Sequence, residues 1–384
     1  MGYDDLYWFE NYNSSFGSEA ELRSLINALK ERGIGTIADV VINHRKNVSN
    51  WVDFPKETYN GVTYEMVSTD IVKNDDGGDT KKWATDNGYS LSENNDTGEG
   101  WGGMRDLNYD NKDMREAMID AMKFWIVDVG IDGFRCDVAD GVPADFWKDA
   151  IDQLRAAAGD RKILMLAEGK NVDNFTVGGF DMNYGWDYKD VLVKVFKGAP
   201  ASDLIQADKA EYDSLPAGKV KLRFTTNHDH STEATPCVEF TNDRGAMAAY
   251  VASIFPHGGA LIYGSQEVSY PEPINFFKYV PVDWTAKPEI YQEYKQLIGL
   301  YNEHPALRKG SLTTFPDNDV LVFERSDSQE RFLIAVNMRN ETKSVSIPEA
   351  WRGQKVEDKM ADQDQKLEDF FNLKPFEYRI FEAE

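Results

Sequence analysis

The chain has 384 residues, which at about 150 residues per domain predicts two or three domains. Its 41 % hydrophobic and 28 % charged residues are those of a folded globular protein and exclude disorder as the main state. With 66 acidic against 42 basic side chains the net charge is −24, which repels nucleic-acid phosphates and anionic lipid and favours neutral substrates and cations.

Cys136 and Cys237 lie far apart and form no CxxC pair, so neither a disulfide framework nor a zinc knuckle is expected. No basic stretch followed by an apolar one opens the chain, and no run of about 18 apolar residues occurs, so no membrane span is expected.

In chain order, Ser18 and Glu21 form a capping box, and Leu22, Leu25, Ile26 and Leu29 at helical spacing predict a helix over 19–32, stopped at Gly33. The β-branched run from Thr36 to Ile42 reads as a parallel strand covered on both faces. The unit recurs twice. Met114, Met118, Ala121, Met122 and Trp125 stripe a helix ending near Gly130, before the strand Ile131–Cys136; Pro143 opens a helix through Phe146, Ile151 and Leu154 to Gly159, before the strand Ile163–Ala167. Further strands are expected near Phe180, at Leu222–Thr226 and at Leu261–Tyr263.

This alternation predicts an α/β fold. With no Gly-rich dinucleotide loop, a (β/α)8 TIM barrel is preferred over an open doubly wound sheet. The aromatic and polar stretch after the first strand is too long for an ordinary loop. The period changes to two after Pro305, in Val320–Phe323, Phe332–Val336 and Tyr378–Phe381. The expected domains are therefore a barrel over 1–44 and 105–308, an inserted domain over 45–104, and a C-terminal antiparallel β-sandwich over 309–384.

Barrel enzymes carry their chemistry where strands end. The polar residues closing these strands are Asp39, Asn43 and His44; Arg135, Asp137 and Asp140; Glu168; and Asn227, His228 and Asp229. Alone, each reads more readily as a helix cap or a solvated loop charge than as a catalytic group. Together, Asp137, Glu168 and Asp229 end three different strands, and converging carboxylates suit glycoside chemistry, in which one carboxylate attacks and one carboxylic acid donates a proton. Arg135, two residues before Asp137 and on the same strand face, is expected to keep Asp137 ionised while a less well paired Glu168 stays protonated.

Four ordered motifs, Asp39–His44, Gly133–Asp140, Leu166–Gly169 and Thr226–Asp229, make the sequence resemble the α-amylase family of retaining α-glucan hydrolases, glycoside hydrolase family 13. The resemblance implies cleavage of α-1,4 bonds in starch or malto-oligosaccharides by double displacement. Asp137 would be the nucleophile, Glu168 the acid and then base, and Asp229 the stabiliser of the transition state, with Arg135 orienting Asp137. His44, His228 and Tyr3 would hold the sugar ring. Asn43, Asp106 and the carbonyl of Gly141 would bind Ca²⁺.

The same resemblance places two barrel strands before Gly2, so the barrel is expected to lack its first two strands. A fragment, or another element filling the gap, would account for this, and a preceding segment could carry a secretion signal, which favours a secreted or periplasmic setting. Arg105 in place of the family's proline and Asp140–Gly141 in place of Lys-His leave the preference for long chains open. Neopullulanase-like, α-glucosidase or transglycosylase activity, or a non-catalytic glucan-binding role, are the alternatives.

Overall fold

The computed structural model describes residues 13–14, 17–46, 56–59, 62–65, 69–70, 104–107, 109–110, 112–275 and 278–384, of which 13–14, 44–46, 56–59, 62–65, 69–70, 104–107, 113–114 and 117 are described by backbone alone. The chain divides into two compact units, residues 1–183 with 216–219, and residues 184–215 with 220–384.

In the first unit, β1 (Ala38–Val40), β2 (Gly133–Cys136), β3 (Leu164–Ala167) and β4 (Met182–Tyr184) pair in that order, all parallel. The helix before β1 spans Glu19–Lys30, and its capping box is formed: Ser18 Oγ accepts from the Glu21 amide and the Ser18 amide donates to Glu21 Oε2 at 2.8 Å. Of its apolar stripe Ile26 is buried, whereas Leu25 is exposed.

The helix Lys112–Phe124 continues through one π-helical turn, Trp125–Val129, and closes on Gly130 in the left-handed conformation, φ 88°. Glycine is the residue that adopts that backbone without a Cβ penalty. The helix Ala144–Ala158 likewise ends at Gly159. Phe134, Met165, Met122, Phe146, Trp147 and Leu154 form the core between these strands and helices.

One expectation is corrected here. The strand after Gly33 is not fully covered: Ile37 is exposed and Ala38 and Val40 are half-buried, and among the described strands β1 pairs along one edge only, with β2. Of residues 45–104, the backbone shows short antiparallel pairings: His44–Lys46 with Met104–Leu107, the latter with Thr69–Asp70, and Lys56–Tyr59 with Val62–Glu65. The remainder of that stretch lies outside the described residues, as does Tyr3.

The second unit holds β5 (Val220–Arg223) and β6 (Gly259–Ala260), parallel to each other. The helix Asp243–Ile254 is buried from Gly245 to Ile254, as suits a helix that is apolar all round. At the end of β5, Arg223 is buried. Its guanidinium stacks 4.0 Å from the centre of the Tyr188 ring and pairs with Asp208 at 2.9 Å and with Glu211, while His257 Nδ1 reaches Asp208 at 2.6 Å.

The C-terminal strands form a six-stranded antiparallel sheet that runs Ser311–Phe315, Val320–Ser326, Arg331–Asn337, Tyr378–Ala383, Lys355–Asp358, Gln363–Lys366. A two-stranded pair, Lys343–Ser346 with Phe370–Leu373, accompanies it. Alternation splits the apolar residues between two cores: Leu321, Phe323, Phe332 and Ile334 pack with the helices, and Val320, Val322, Leu333 and Ala335 pack with Trp351. Parallel strands alternating with helices, followed by antiparallel sheets, make a partial (β/α)8 barrel with a C-terminal β-domain, the expected fold class. Among the described residues no helix is long and apolar enough to cross a membrane.

Candidate active site

The acidic groups of the first unit gather on one guanidinium because β1, β2 and β3 are parallel neighbours in matched register. Asp39 lies opposite Arg135 across the β1–β2 pairing, and Arg135 lies opposite Leu166, two residues before Glu168. Arg135 Nη1 donates to Asp39 Oδ1 at 2.8 Å and to Asp137 Oδ1, and Nη2 stands 2.5 Å from Glu168 Oε1. The Arg135, Asp137 and Glu168 side chains are 7 %, 14 % and 15 % exposed, whereas that of Asp39, at 32 %, meets solvent.

The expectation that Glu168 is less well paired than Asp137 is therefore corrected. A guanidinium carries five donors in a fork wide enough for two carboxylates, and the register of β2 on β3 places Glu168 within its reach.

The backbone fixes both carboxylates. Asp137 N–H donates to the Val40 carbonyl at 2.9 Å, Glu168 N–H to the Cys136 carbonyl at 2.9 Å, and Ala139 N–H to the Glu168 carbonyl at 2.9 Å. Val138 turns the chain sharply at φ 42°, a left-handed conformation that a β-branched residue rarely adopts. In that turn its N–H donates to Glu168 Oε2 at 2.8 Å. Strain of this kind persists where surrounding bonds over-determine the backbone.

The residue after Glu168 packs closely on Asp140: a Cβ at Gly169 would lie 2.3 Å from Asp140 Oδ1 and would displace that side chain. Asp140 instead accepts from Lys170 N–H at 3.0 Å and Asn174 Nδ2 at 2.9 Å, which ties down the loop behind the acid. Cys136 points to the opposite face and is fully buried. Burial, then the negative charge of Asp39, pushes its thiol well above the usual value.

In the second unit, His228 and Asp229 follow β5. His228 Nε2 stands 3.4 Å from Asp229 Oδ1, and the Asp229 side chain is half exposed. The buried Asn227 holds the turn by accepting from His230 N–H at 2.9 Å, and Ser231 Oγ donates to the His228 carbonyl at 3.0 Å.

Two of the expected cation ligands meet. The buried Asn43 side-chain amide donates to the Gly141 carbonyl at 3.0 Å. Two oxygens held at 2.3–2.6 Å by one Ca²⁺ lie about 3–3.5 Å apart, so turning the Asn43 amide to present Oδ1 gives a separation suited to a shared ion. The backbone of Asp106 pairs with that of His44, the residue after Asn43. The side chains of Asp106 and His44 lie outside the described residues. Asn43 and the Gly141 carbonyl are thus two neutral oxygen donors of the kind calcium takes.

A second set of metal-capable groups, His304, Glu330 and Glu382, belongs to the C-terminal part of the chain and contains none of the expected ligands. There His304 Nδ1 bonds Glu330 at 2.8 Å, and Lys359 already supplies a cation 3.0 Å from Glu382.

Sequence reasoning assigned no role to two groups that the structure brings in. Asp39 was visible as a strand-end acid, yet only the register shows that it shares Arg135. Val138 gave no sequence signal, since its part depends on a backbone angle. A recess of about 1000 Å³, lined by Asp132, Arg161, Asp181 and Lys219 among others, opens at the other, N-terminal ends of the strands and includes none of these carboxylates.

The family model described as "Alpha amylase, catalytic domain" matches residues 1–275. A cyclomaltodextrinase of Geobacillus thermopakistaniensis is 24 % identical over 366 residues, covering 91 % of this chain and 59 % of that protein. An intracellular maltogenic amylase of Bacillus subtilis is 25 % identical over 401 residues, covering 99 % and 64 %. The chain thus spans about three-fifths of the length of these two curated relatives. Among solved structures, an alpha-amylase from Geobacillus thermoleovorans complexed with acarbose superposes with a TM-score of 0.74 at 19 % identity, covering 100 % of this chain and 84 % of that one. A maltogenic alpha-amylase from Thermotoga neapolitana also gives 0.74, at 18 % identity, covering 96 % and 81 %.

Proposed function

Because this chain belongs to the alpha-amylase catalytic-domain family, a family of glycoside hydrolases, we propose that it cleaves α-1,4-glucosidic bonds of starch or malto-oligosaccharides with retention of configuration. The observation that carries the proposal is the bridge of Arg135 between Asp137 and Glu168 at the ends of adjacent parallel strands.

The proposed chemistry runs in two displacements. The Asp137 carboxylate attacks the anomeric carbon while Glu168 delivers its proton to the departing glycosidic oxygen; water then attacks the glycosyl ester as Glu168 takes the proton back. Arg135 aims Asp137 and keeps the pair in register. Asp229 and His228 would bind hydroxyls of the ring as it flattens, with His44 and Tyr3 as further sugar contacts. Asn43, Gly141 and Asp106 would hold Ca²⁺, which when bound supplies a fixed positive charge that pins the inserted domain to the barrel.

The relatives named cyclomaltodextrinase and maltogenic amylase favour a second reading within the same chemistry, neopullulanase-like action on short or cyclic α-glucans. Product profiles on starch, a cyclodextrin and pullulan separate the two.

The test is proton NMR of the anomeric region during maltoheptaose turnover, beside Asp137→Asn. Early α-anomer from the wild type alone supports the proposal. Early β-anomer overturns retention, and absence of product with glucan binding intact replaces hydrolysis by a binding role.

A further inference from the structure

In the second unit, the stretch that follows β6 carries large aromatic side chains into solvent: Tyr279 is 91 % exposed and Trp284 59 % exposed. An indole held out by a built turn offers its ring face to a ligand without a rearrangement of the fold. Asp283 Oδ1 accepts from Thr285 N–H at 2.9 Å and from Thr285 Oγ1 at 2.7 Å, closing a tight turn around Trp284.

The base of this arm is clamped. Asp243, the first residue of the buried helix Asp243–Ile254, accepts from Lys287 Nζ with both oxygens at 2.8 Å and from Ser269 Oγ at 2.6 Å. Ser265, Ser269 and Lys287 all have positive φ, at 92°, 48° and 47°, so three side-chain-bearing residues hold left-handed backbone where the arm leaves and rejoins the fold.

The arm stands at the strand ends that lead to Asp229. Because β5 and β6 are parallel, their C-terminal ends face the same way, one leading to Asp229 and the other to Gly264. A Cβ at Gly264 would lie 3.8 Å from the Trp284 ring, so the indole rests against the end of the last strand segment. Ile274 N–H donates to the Ser231 carbonyl at 2.7 Å, which fastens the same stretch to the turn that bears Asp229.

We propose that Trp284, with Tyr279 five residues before it in the chain, forms a sugar-stacking platform that holds a glucan chain at the strand ends that carry Asp229. This rests on the glucan reading above. Sugar rings present an apolar C–H face with hydroxyls at the edge, and an exposed aromatic ring meets that face while water keeps the hydroxyls solvated. The strong negative charge of the molecule favours such a neutral ligand over an anionic one.

The experiment is native electrophoresis through gels with and without amylopectin, using the Asp137→Asn protein so that no glucan is consumed, and adding Trp284→Ala or Trp284→Phe; thermal melts check that each variant folds. Loss of a stacked ring weakens binding by up to about tenfold. Retardation that is lost with Ala and largely kept with Phe supports the platform. Equal retardation of the Ala variant overturns the platform and leaves the glucan reading standing. Migration of the Asp137→Asn protein itself unchanged by amylopectin overturns both.

Discussion

At the scale of single residues, the site is organised around Arg135. Asp137→Asn preserves shape and hydrogen bonding but removes the attacking charge, so kcat is expected to fall by about 10⁴-fold or more while maltoheptaose binding, measured by calorimetry, stays nearly intact. Arg135→Lys keeps the charge but offers one point donor where a fork now reaches Asp39, Asp137 and Glu168. It is expected to lower kcat by on the order of 10²-fold with a smaller change in KM, read from initial rates; wild-type kinetics in this variant would remove Arg135 from the positioning role. The identities of these residues were readable because each closes an apolar run. What the run does not encode is a pairing between residues 96 positions apart, as for Arg135 and Asp39, or the backbone angle of Val138.

At the scale of elements, β2 begins where no side chain fits. A Cβ on Gly133, at φ 145°, would lie 1.9 Å from the Leu164 carbonyl of β3, so Gly133→Ala must break the β2–β3 register that places Glu168 on Arg135. A loss of more than about 3 kcal/mol is expected, seen as a lowered melting temperature with disproportionate loss of activity. The Arg223 cluster sets a pH dependence. Burial of Asp208 raises its pKa, but hydrogen bonds from His257 and Arg223 and their charges more than offset this, leaving it below the usual carboxylate range. A folded-state value below the unfolded one, about 4, stabilises the fold above that pH, and the stabilisation is lost as pH falls through the folded value. Asp208→Asn, which leaves the buried Arg223 with Glu211 as its remaining carboxylate and takes the charged partner from His257, is expected to cost about 1–3 kcal/mol at neutral pH, and the gap from wild type should narrow in melts below pH 4. The helices were legible from their caps, Ser18 and Gly130 above all. The π-helical turn before Gly130, the exposure of Ile37 and the Asp243 clamp were not, since each depends on partners from distant segments: Asp243 meets residues 26 and 44 positions away.

At the scale of the whole molecule, the catalytic-domain match and the order of strands and helices agree with what the four motifs imply, because those motifs sit at strand ends and so carry topology as well as chemistry. The inserted stretch was legible only as an interruption, since its aromatic and polar sequence has neither period. The expected Ca²⁺ belongs to this scale because its ligands come from segments about 100 residues apart, Asn43 and Gly141. A ligand at 100 times its Kd stabilises the native state by about 2.7 kcal/mol, so a chelator is expected to lower the melting temperature by several degrees and added calcium to restore it; a melt indifferent to both would reject the site.

The two cysteines fall one in each compact unit, both buried and both unbridged. Thiol reagents modify the thiolate, so each sulfur can react only when the structure around it opens. Labelling rates at Cys136 and Cys237, resolved by mass spectrometry, are therefore two independent clocks within one chain. Equal rates would mark a single cooperative unfolding event, and unequal rates would rank the stability of the first unit against the second.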